Sequence, residues 1–487
     1  MVFSSLEYGL FLVAMFFVTW LIGRKLLLRN VVLGLASLYF YMCWSPKYVL
    51  LMLFCIATNY VAGLGIQATF ARGGSAAGEE GTGARRRKLW MAAAVVSNLA
   101  LLFAYKYLGL ATSTLQQLAD FAGLAIDVPK WSLVLPVGIS FFTFQAMSYS
   151  IDVYYRRVEA TRSFWEFLLY VAFFPQLVAG PIVRAGDFIH QLKEPRTLSA
   201  DEASDAIYRI LLGLVKKVAI SDWVAVNLVD RVFQAPQMYS SVEVLFGVYG
   251  YAVQIYCDFS AYSDIAIGSA RLLGFWIPEN FNLPYLSVDI QDFWRRWHIS
   301  LSTWLKDNLY VPLGGNRGKR PWLTYRNLML TMLLGGLWHG AAWTFVAWGG
   351  LHGAGLAWAR YRERKRLSLG LPVHPTGWRR AVSIFVTFHV VCALWVLFRA
   401  HTFGGAMDVF AAIAACTTET ANLDWTVLVA MAAGLSGHAL PGQLAEWTRG
   451  GLRLLPAVIK AGVIVGVVYL LSLAASADVI PFIYFQF

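Results

Sequence analysis

The chain has 487 residues, of which 58% are hydrophobic and only 14% charged, against about a quarter charged in ordinary soluble domains. With a mean hydropathy of +0.56, this excludes a string of soluble domains and predicts one polytopic membrane domain over residues 1–487. The formal net charge of +12 does not call for nucleic acid, because the basic residues fall between apolar spans, as cytoplasmic loops require.

A helix crossing the hydrocarbon core needs roughly 20 mostly apolar residues. The first spans on that criterion are 8–23, 31–44 and 48–66, with Ser45-Pro46 breaking the chain between the last two. Residues 1–7 carry no Lys or Arg and further apolar segments follow, so the first span is expected to be retained rather than cleaved. Arg24, Lys25 and Arg29 follow it, and Arg72 with Arg85-Arg86-Arg87-Lys88 follows the third. Both loops then face the cytoplasm and the N-terminus faces outward. Residues 73–88, rich in Gly, Ala and Glu at the start, read as a flexible cytoplasmic loop without chemistry of its own.

Further spans are predicted at 89–105, 131–151, 167–182, 206–229 and 244–268. Pro175 to Pro181 marks a kink or re-entrant element, and Lys216-Lys217 makes the 206–229 segment partly interfacial. Residues 276–326 form the longest polar connection, interrupted by aromatics, and read as an interfacial and cytoplasmic region. Residues 327–359 contain no Asp, Glu, Lys or Arg, too long a stretch for one span and rich in glycine, which predicts a broken or re-entrant pair. Spans at 381–398, 404–415, 425–440 and 461–477 complete an all-α, polytopic chain of about 11–13 membrane segments. The five cysteines are scattered at 43, 55, 257, 392 and 416 with no metal-ligand spacing and are expected as free thiols.

Three stretches look chemical. His339 lies within Leu333-Leu334-Gly335-Gly336-Leu337-Trp338-His339-Gly340, at membrane depth, where an ionisable group needs a cavity or a partner. Such a histidine is either a general base in a wet chamber or a hydrogen-bonding link between helices. The glycines favour the first reading, because unwound backbone at that depth is tolerated only inside protein or beside a cavity. Residues 292–307 place Trp294, Trp297, Leu301 and Trp304 on one side of an amphipathic interfacial helix. Arg295 and Arg296 are then ordinary anchors to anionic lipid, and His298 shares the apolar side and becomes a partner for His339. Zinc is disfavoured, since no third ligand is spaced to complete a tetrahedral site. Asp258 and Asp264 put two carboxylates into an otherwise apolar span, where internal hydrogen bonds that lock helices together are the stronger reading. His352 would line the same cavity as His339, while His389 reads as a packed polar residue. The basic, glycine-rich run from Leu313 to Arg320 lacks a P-loop arrangement, so nucleotide hydrolysis is not expected.

These residues resemble the membrane-bound O-acyltransferase family, in the branch that acetylates exported polysaccharides. The resemblance rests on Trp294-Arg295-Arg296-Trp297-His298-Ile299-Ser300-Leu301-Ser302-Thr303-Trp304, Leu313-Gly314-Gly315-Asn316-Arg317-Gly318, Tyr325-Arg326-Asn327, the stretch around His339 and Asp258-Phe259-Ser260 to Asp264. It extends to Met1-Val2-Phe3-Ser4-Ser5, Pro136 to Phe141, Phe174 to Pro181 and the ending Pro481 to Phe487, and so covers essentially the whole chain. Ala261 stands where relatives commonly carry glycine, and residues 73–84 have no obvious counterpart.

The resemblance implies a ring of transmembrane helices around a central tunnel, in the bacterial inner membrane. It implies that His339 deprotonates the acyl acceptor, with His298 in the same chamber and Asp258, Asp264, Trp338 and His352 lining it. No permanently bound cofactor is implied; acetyl-CoA or an acetylated carrier is the donor substrate, its diphosphate meeting Arg295, Arg296 or Arg317. The partners implied are membrane lipid, a periplasmic SGNH-hydrolase-like acetyltransferase and the proteins of an exported polysaccharide pathway, alginate-type first and cellulose or other exopolysaccharides second. The alternatives are D-alanyl transfer from a carrier protein to teichoic acid, and a transporter or scaffold whose histidines relay protons. The absence of internal repeat halves weighs against transport.

Overall fold

The computed structural model describes residues 3–72, 82–129, 131, 133–317, 320–439, 442–474 and 481–483. Among these the chain is all helical, with no strand. Most of the expected 73–88 loop, Gly318 of the glycine-rich run and the ends of the two terminal motifs lie outside the described residues. The helices in chain order begin with α1 (Leu6–Ile22), α2 (Leu26–Met42), α3 (Val49–Arg72), α4 (Thr82–Leu102), α5 (Leu108–Phe121), α6 (Ile139–Tyr154), α7 (Phe164–Ala172), α8 (Ala185–Leu192), α9 (Ala200–Leu214) and α10 (Asp230–Gln234). They continue with α11 (Ser241–Leu272), α12 (Ile290–Arg296), α13 (Ile299–Leu305), α14 (Pro321–His339), α15 (Trp343–Ser368), α16 (Gly377–Arg399), α17 (Phe403–Ala414), α18 (Trp425–Ala439), α19 (Gly442–Leu454) and α20 (Ala457–Ala474). Among the described residues, four stretches, Pro46–Phe70, Thr82–Phe121, Gly377–Arg399 and Ala457–Ala474, are long and apolar enough to cross a membrane. Leu6–Ile22, Leu26–Met42, Phe403–Ala414 and Trp425–Ala439 are shorter apolar helices.

The chain forms two compact units, Met1–Ala206 with Ala266–Pro278, and Ile207–Ile265 with Glu279–Phe487. In the first, α1 starts at Ser5, whose hydroxyl accepts from the Tyr8 amide at 3.4 Å, and ends at Gly23 with φ of 58°. Arg29, expected in a loop, instead lies buried inside α2. It donates to the carbonyl oxygens of Leu192 at 2.9 Å and Glu194 at 3.1 Å, so a cation caps the C-terminal end of α8, where carbonyls lack helical partners.

Two spans expected in this unit are only half helical. The 131–151 span becomes helix only at Ile139, because Pro136 interrupts it and Gly138 sits at φ of 73°. The exposed carbonyls of the extended approach are taken up by the Tyr41 hydroxyl on Val137 at 2.9 Å and the Tyr48 hydroxyl on Val134 at 3.1 Å. The 167–182 span is helical only to Ala172, and the buried stretch after it carries the two prolines. Its polar groups find side chains: Gln176 and Gln145 both donate to the Tyr170 carbonyl, at 3.0 and 2.5 Å, and the Phe174 amide donates to Ser37 at 3.1 Å. Irregular backbone at membrane depth persists only where protein groups satisfy it in this way.

The second unit holds α14 and α15, packed backbone to backbone. A Cβ on Gly336 would strike the Phe345 carbonyl and stand 3.0 Å from the Gly349 Cα; one on Gly349 would strike the Met332 carbonyl. Small residues are what allow two helices this approach in a membrane. A second device in this unit is an ion-pair network. The helix continuing α9 widens to π geometry over Val215–Asp222, a form frequent at functional sites. Lys217 Nζ lies 2.7 Å from Asp222 and 2.9 Å from Asp258, and Lys216 Nζ lies 2.7 Å from Asp264. Arg209 holds Asp264 at 2.9 Å and also pairs with Glu279. Asp258 further accepts from the Ile483 amide at 2.6 Å, tying residues 481–483 to α11. The carboxylates of the 244–268 span are thus held by ion pairs as well as hydrogen bonds, and Lys216-Lys217 answers to them.

Both devices have consequences for stability. Gly349→Val forces α14 and α15 apart and lowers stability by about 1–3 kcal/mol, read as a lower melting temperature of the detergent-solubilised chain. Lys217→Met strands the buried Asp258 and the half-buried Asp222 and costs about 3–5 kcal/mol; adding Asp258→Asn recovers part of that loss. An unchanged melt for either single variant contradicts the corresponding packing.

Candidate active site

His339 is the last residue of α14. Gly340 and Ala342 then run extended before α15 begins at Trp343, so the expected break in 327–359 falls directly after the histidine. A side chain on Gly340 would collide with the Phe345 ring, which explains a glycine at the turn. The His339 side chain is buried, 3% exposed, and meets three aromatic rings edge to face: Trp338 at 5.0 Å, Trp348 at 5.1 Å and Phe398 at 5.4 Å.

His298 reaches the interior by a route the helical spacing does not anticipate. The expected continuous helix over 292–307 is broken into α12 and α13: Trp297 is extended and His298 is left-handed, at φ of 44° and ψ of 55°. A non-glycine residue in that region costs of order 1–3 kcal/mol and persists only where its surroundings hold it. Asn280 does so. Its carbonyl accepts from the Ile299 amide at 2.9 Å, and its side-chain oxygen accepts from the Ser300 amide at 3.2 Å and the Ser300 hydroxyl at 2.9 Å. The same oxygen lies 3.1 Å from His298 Nδ1. An oxygen already fixed as acceptor requires a proton on Nδ1, which leaves the lone pair of the neutral ring on Nε2. Burial pushes the His298 imidazole down from its usual value, to about 3, so the ring is neutral near pH 7.

Trp338 joins the two histidines. Its indole stands 6.1 Å from the His298 ring and 5.0 Å from the His339 ring, centroid to centroid. Phe259, the neighbour of Asp258 on α11, packs edge-on to His298 at 4.6 Å. Asp258 and Asp264 themselves are engaged by Lys217, Lys216 and Arg209. His352 is fully buried on α15, takes a hydrogen bond from the Trp294 indole at 3.2 Å and packs on Trp348 at 4.5 Å. Since Trp348 also touches His339, the aromatic contacts run unbroken from Trp294 to His339.

Trp294 lines a cavity of about 500 Å³ that also takes in Arg295, Lys306, Tyr310 and Arg360 and, from α14, Thr331 and Met332. Met332 precedes His339 by two helical turns, about 10 Å at 1.5 Å per residue. Of the three arginines expected at a donor phosphate, Arg295 faces this cavity. Arg296 is turned to Asp292 at 2.9 Å and the Asn282 carbonyl. Arg317 stands exposed in its turn, from which Asn316 reaches the cavity. Sequence reasoning missed Asn280, Lys306, Arg360, Trp348 and Phe398. Nothing in their spacing marks them, because they are brought in from α15, α16, the stretch after α13 and the connection before α12. Lys217 was visible as an out-of-place cation within an apolar segment.

Residues 137–362, which include every one of His298, His339, Asn280 and Asp258, match the model of MBOAT, the membrane-bound O-acyltransferase family. The chain is 40% identical to the probable alginate O-acetylase AlgI of Pseudomonas aeruginosa over 414 residues, 85% of this chain and 75% of the relative. It is 34% identical to the peptidoglycan O-acetyltransferase of Helicobacter pylori over 424 residues, 81% of this chain and 75% of that protein. A teichoic acid D-alanyltransferase of Bacillus subtilis is 28% identical over 56% of this chain and 71% of its own length. Apolar helices fit to cross a bilayer, a buried histidine at a helix break and this breadth of similarity place the chain in the membrane-bound O-acyltransferase family, as an O-acyltransferase of a bacterial membrane.

Proposed function

We propose that this O-acyltransferase takes acetyl from a cytoplasmic thioester, acetyl-CoA or an acetylated carrier, and passes it through a tunnel among its helices for esterification of an exported polysaccharide. The membrane is then the inner one, with the N-terminus periplasmic, as the loop charges favour. The observation that carries the reading is the placement of His339 at a helix break, one indole away from the neutral His298. In this scheme an acceptor hydroxyl gives its proton to His339 as its oxygen attacks the thioester carbonyl. The C–S bond breaks, and the thiolate leaves and is reprotonated. His298 stays neutral and orients the reacting groups through Nε2. The basic cavity with Arg295, Lys306 and Arg360 supports a site for the donor's phosphates, and Met332, which lines it, lies two turns before His339 on α14.

The similarity to an alginate O-acetylase favours alginate or a related uronic-acid polymer, with a periplasmic SGNH-hydrolase-like acetyltransferase as the final carrier of the acetyl group. The Helicobacter pylori relative favours peptidoglycan as a second polymer, and the Bacillus subtilis relative keeps a D-alanyl donor as the competing chemistry.

The protein in sealed proteoliposomes tests the transfer. Labelled acetyl-CoA supplied on the side of the basic loops is expected to acetylate an acceptor, the periplasmic partner or alginate oligosaccharide, enclosed on the other. Label confined to the donor side contradicts transfer across the membrane, and displacement by a D-alanyl carrier but not by CoA moves the chemistry to D-alanylation. Asn280→Ala frees the left-handed turn at His298 and is expected to lower kcat about a hundredfold while donor KM changes little. Arg295→Ala with Arg360→Ala is expected to do the reverse, raising donor KM about tenfold at near-constant kcat; an unchanged KM removes the phosphate from this cavity.

A further inference from the structure

A second cavity in the same unit, of about 460 Å³, lies between the later turns of α15 and the first half of α16, and its two ends differ in chemistry. One end is basic. Arg362 and Arg366 face it from α15, while the acids present are already committed: Glu363 is paired with Arg360 at 2.6 Å, and Asp289 caps α12 through the Asp292 amide at 2.8 Å. Arg366 is steadied by its Nε on the Pro372 carbonyl at 2.7 Å, which aims the guanidinium without neutralising it. Along α16 the lining is largely apolar, with Ser383 and Thr387 beside the valines. Val382, Val386 and Val390 recur every four residues along α16 and stay 48%, 52% and 43% exposed, on a helix long and apolar enough to cross the membrane. Trp358, 61% exposed, flanks them from α15.

An anion alone fills only the basic end of this groove, and a hydrocarbon chain alone leaves the arginines without a counter-charge. We propose that the groove binds one anionic glycerophospholipid, its phosphate on Arg362 and Arg366 and one acyl chain laid along Val382, Val386 and Val390. Charge complementarity selects the headgroup, and the length of α16 in the bilayer selects a chain rather than a soluble ligand. The valines offer a continuous apolar strip at helical spacing, so the chain packs without requiring a shaped pocket. The site is separate from the basic cavity beside α14, although Arg295 borders both.

Native mass spectrometry of the full-length, detergent-solubilised protein tests this with defined lipids. Phosphatidylglycerol is expected to be retained about tenfold better than phosphatidylcholine of the same chains. Arg362→Gln with Arg366→Gln brings phosphatidylglycerol retention down to the phosphatidylcholine level. Val386→Trp, which leaves both arginines in place, lowers retention of both lipids. The variants sit at exposed or half-buried positions, and a wild-type melting temperature confirms their fold. Equal retention of the two lipids by wild type, or full phosphatidylglycerol retention by the double arginine variant, overturns the proposal. Displacement of the lipid by millimolar inorganic phosphate or CoA, with Val386→Trp inert, overturns it in favour of a soluble phosphate ligand.

Discussion

The approach of α14 to α15 is the constraint on which the rest of the active unit depends. At Gly336 and Gly349 the two backbones meet with no room for a Cβ on either side. This contact fixes where α14 ends and how sharply the chain turns through Gly340 into α15. It therefore determines that His339 falls at a helix terminus among Trp338, Trp348 and Phe398. A histidine in the middle of a spanning helix would be confined to a helix–helix seam. At a break, the backbone departs from the ring, which is left framed by side chains alone. The cost of non-helical backbone at this depth is limited because Gly340 is buried in protein and the two residues after it are half-buried.

The second histidine is held by a different kind of support. His298 occupies a strained backbone conformation between two short helices, and one side chain, Asn280, anchors the next two residues and the imidazole together. Asn280 itself follows Glu279, which Arg209 grips along with Asp264, and Asn280 also reaches Ser263 on α11 at 3.4 Å. The ion pairs therefore do more than close α11 against the π-helical stretch. They lie next in the chain and next in space to the group that fixes the His298 tautomer. The orientation of a neutral imidazole is set by the hydrogen bond on its other nitrogen, so these supports act on chemistry through geometry.

Much of this was legible in the sequence, and the failures have physical causes. Uncharged runs located the apolar helices, because side chains of that composition are stable at such length only in hydrocarbon. Glycines around a lone histidine located the break in 327–359. Two boundaries that failed, at 131–138 and 173–182, are apolar stretches whose prolines override hydropathy; the backbone polar groups they release are caught by Tyr41, Tyr48, Gln145 and Ser37, which no local pattern reveals. Another failed at 82–88, expected as loop and helical in α4. The amphipathic spacing of 292–307 gave the right burial for His298 and the wrong backbone, since helical periodicity cannot register a single left-handed residue. Arg29 shows the same limit: a cation counted as a loop marker is a buried cap for a helix far away in sequence. Asn280, Lys306 and Arg360 were invisible because their importance comes only from long-range contacts.

The role of His339 as the base of the acyl transfer is the claim on which the proposed chemistry turns. Acetyl transfer from labelled acetyl-CoA by the purified protein, wild type beside His339→Gln at equal amounts and with matching melting temperatures, tests it most directly. Loss of about 10²–10⁴-fold in kcat, with donor binding retained, is the predicted result. Transfer by His339→Gln at the wild-type rate would contradict it and leave the buried histidine a structural link between helices.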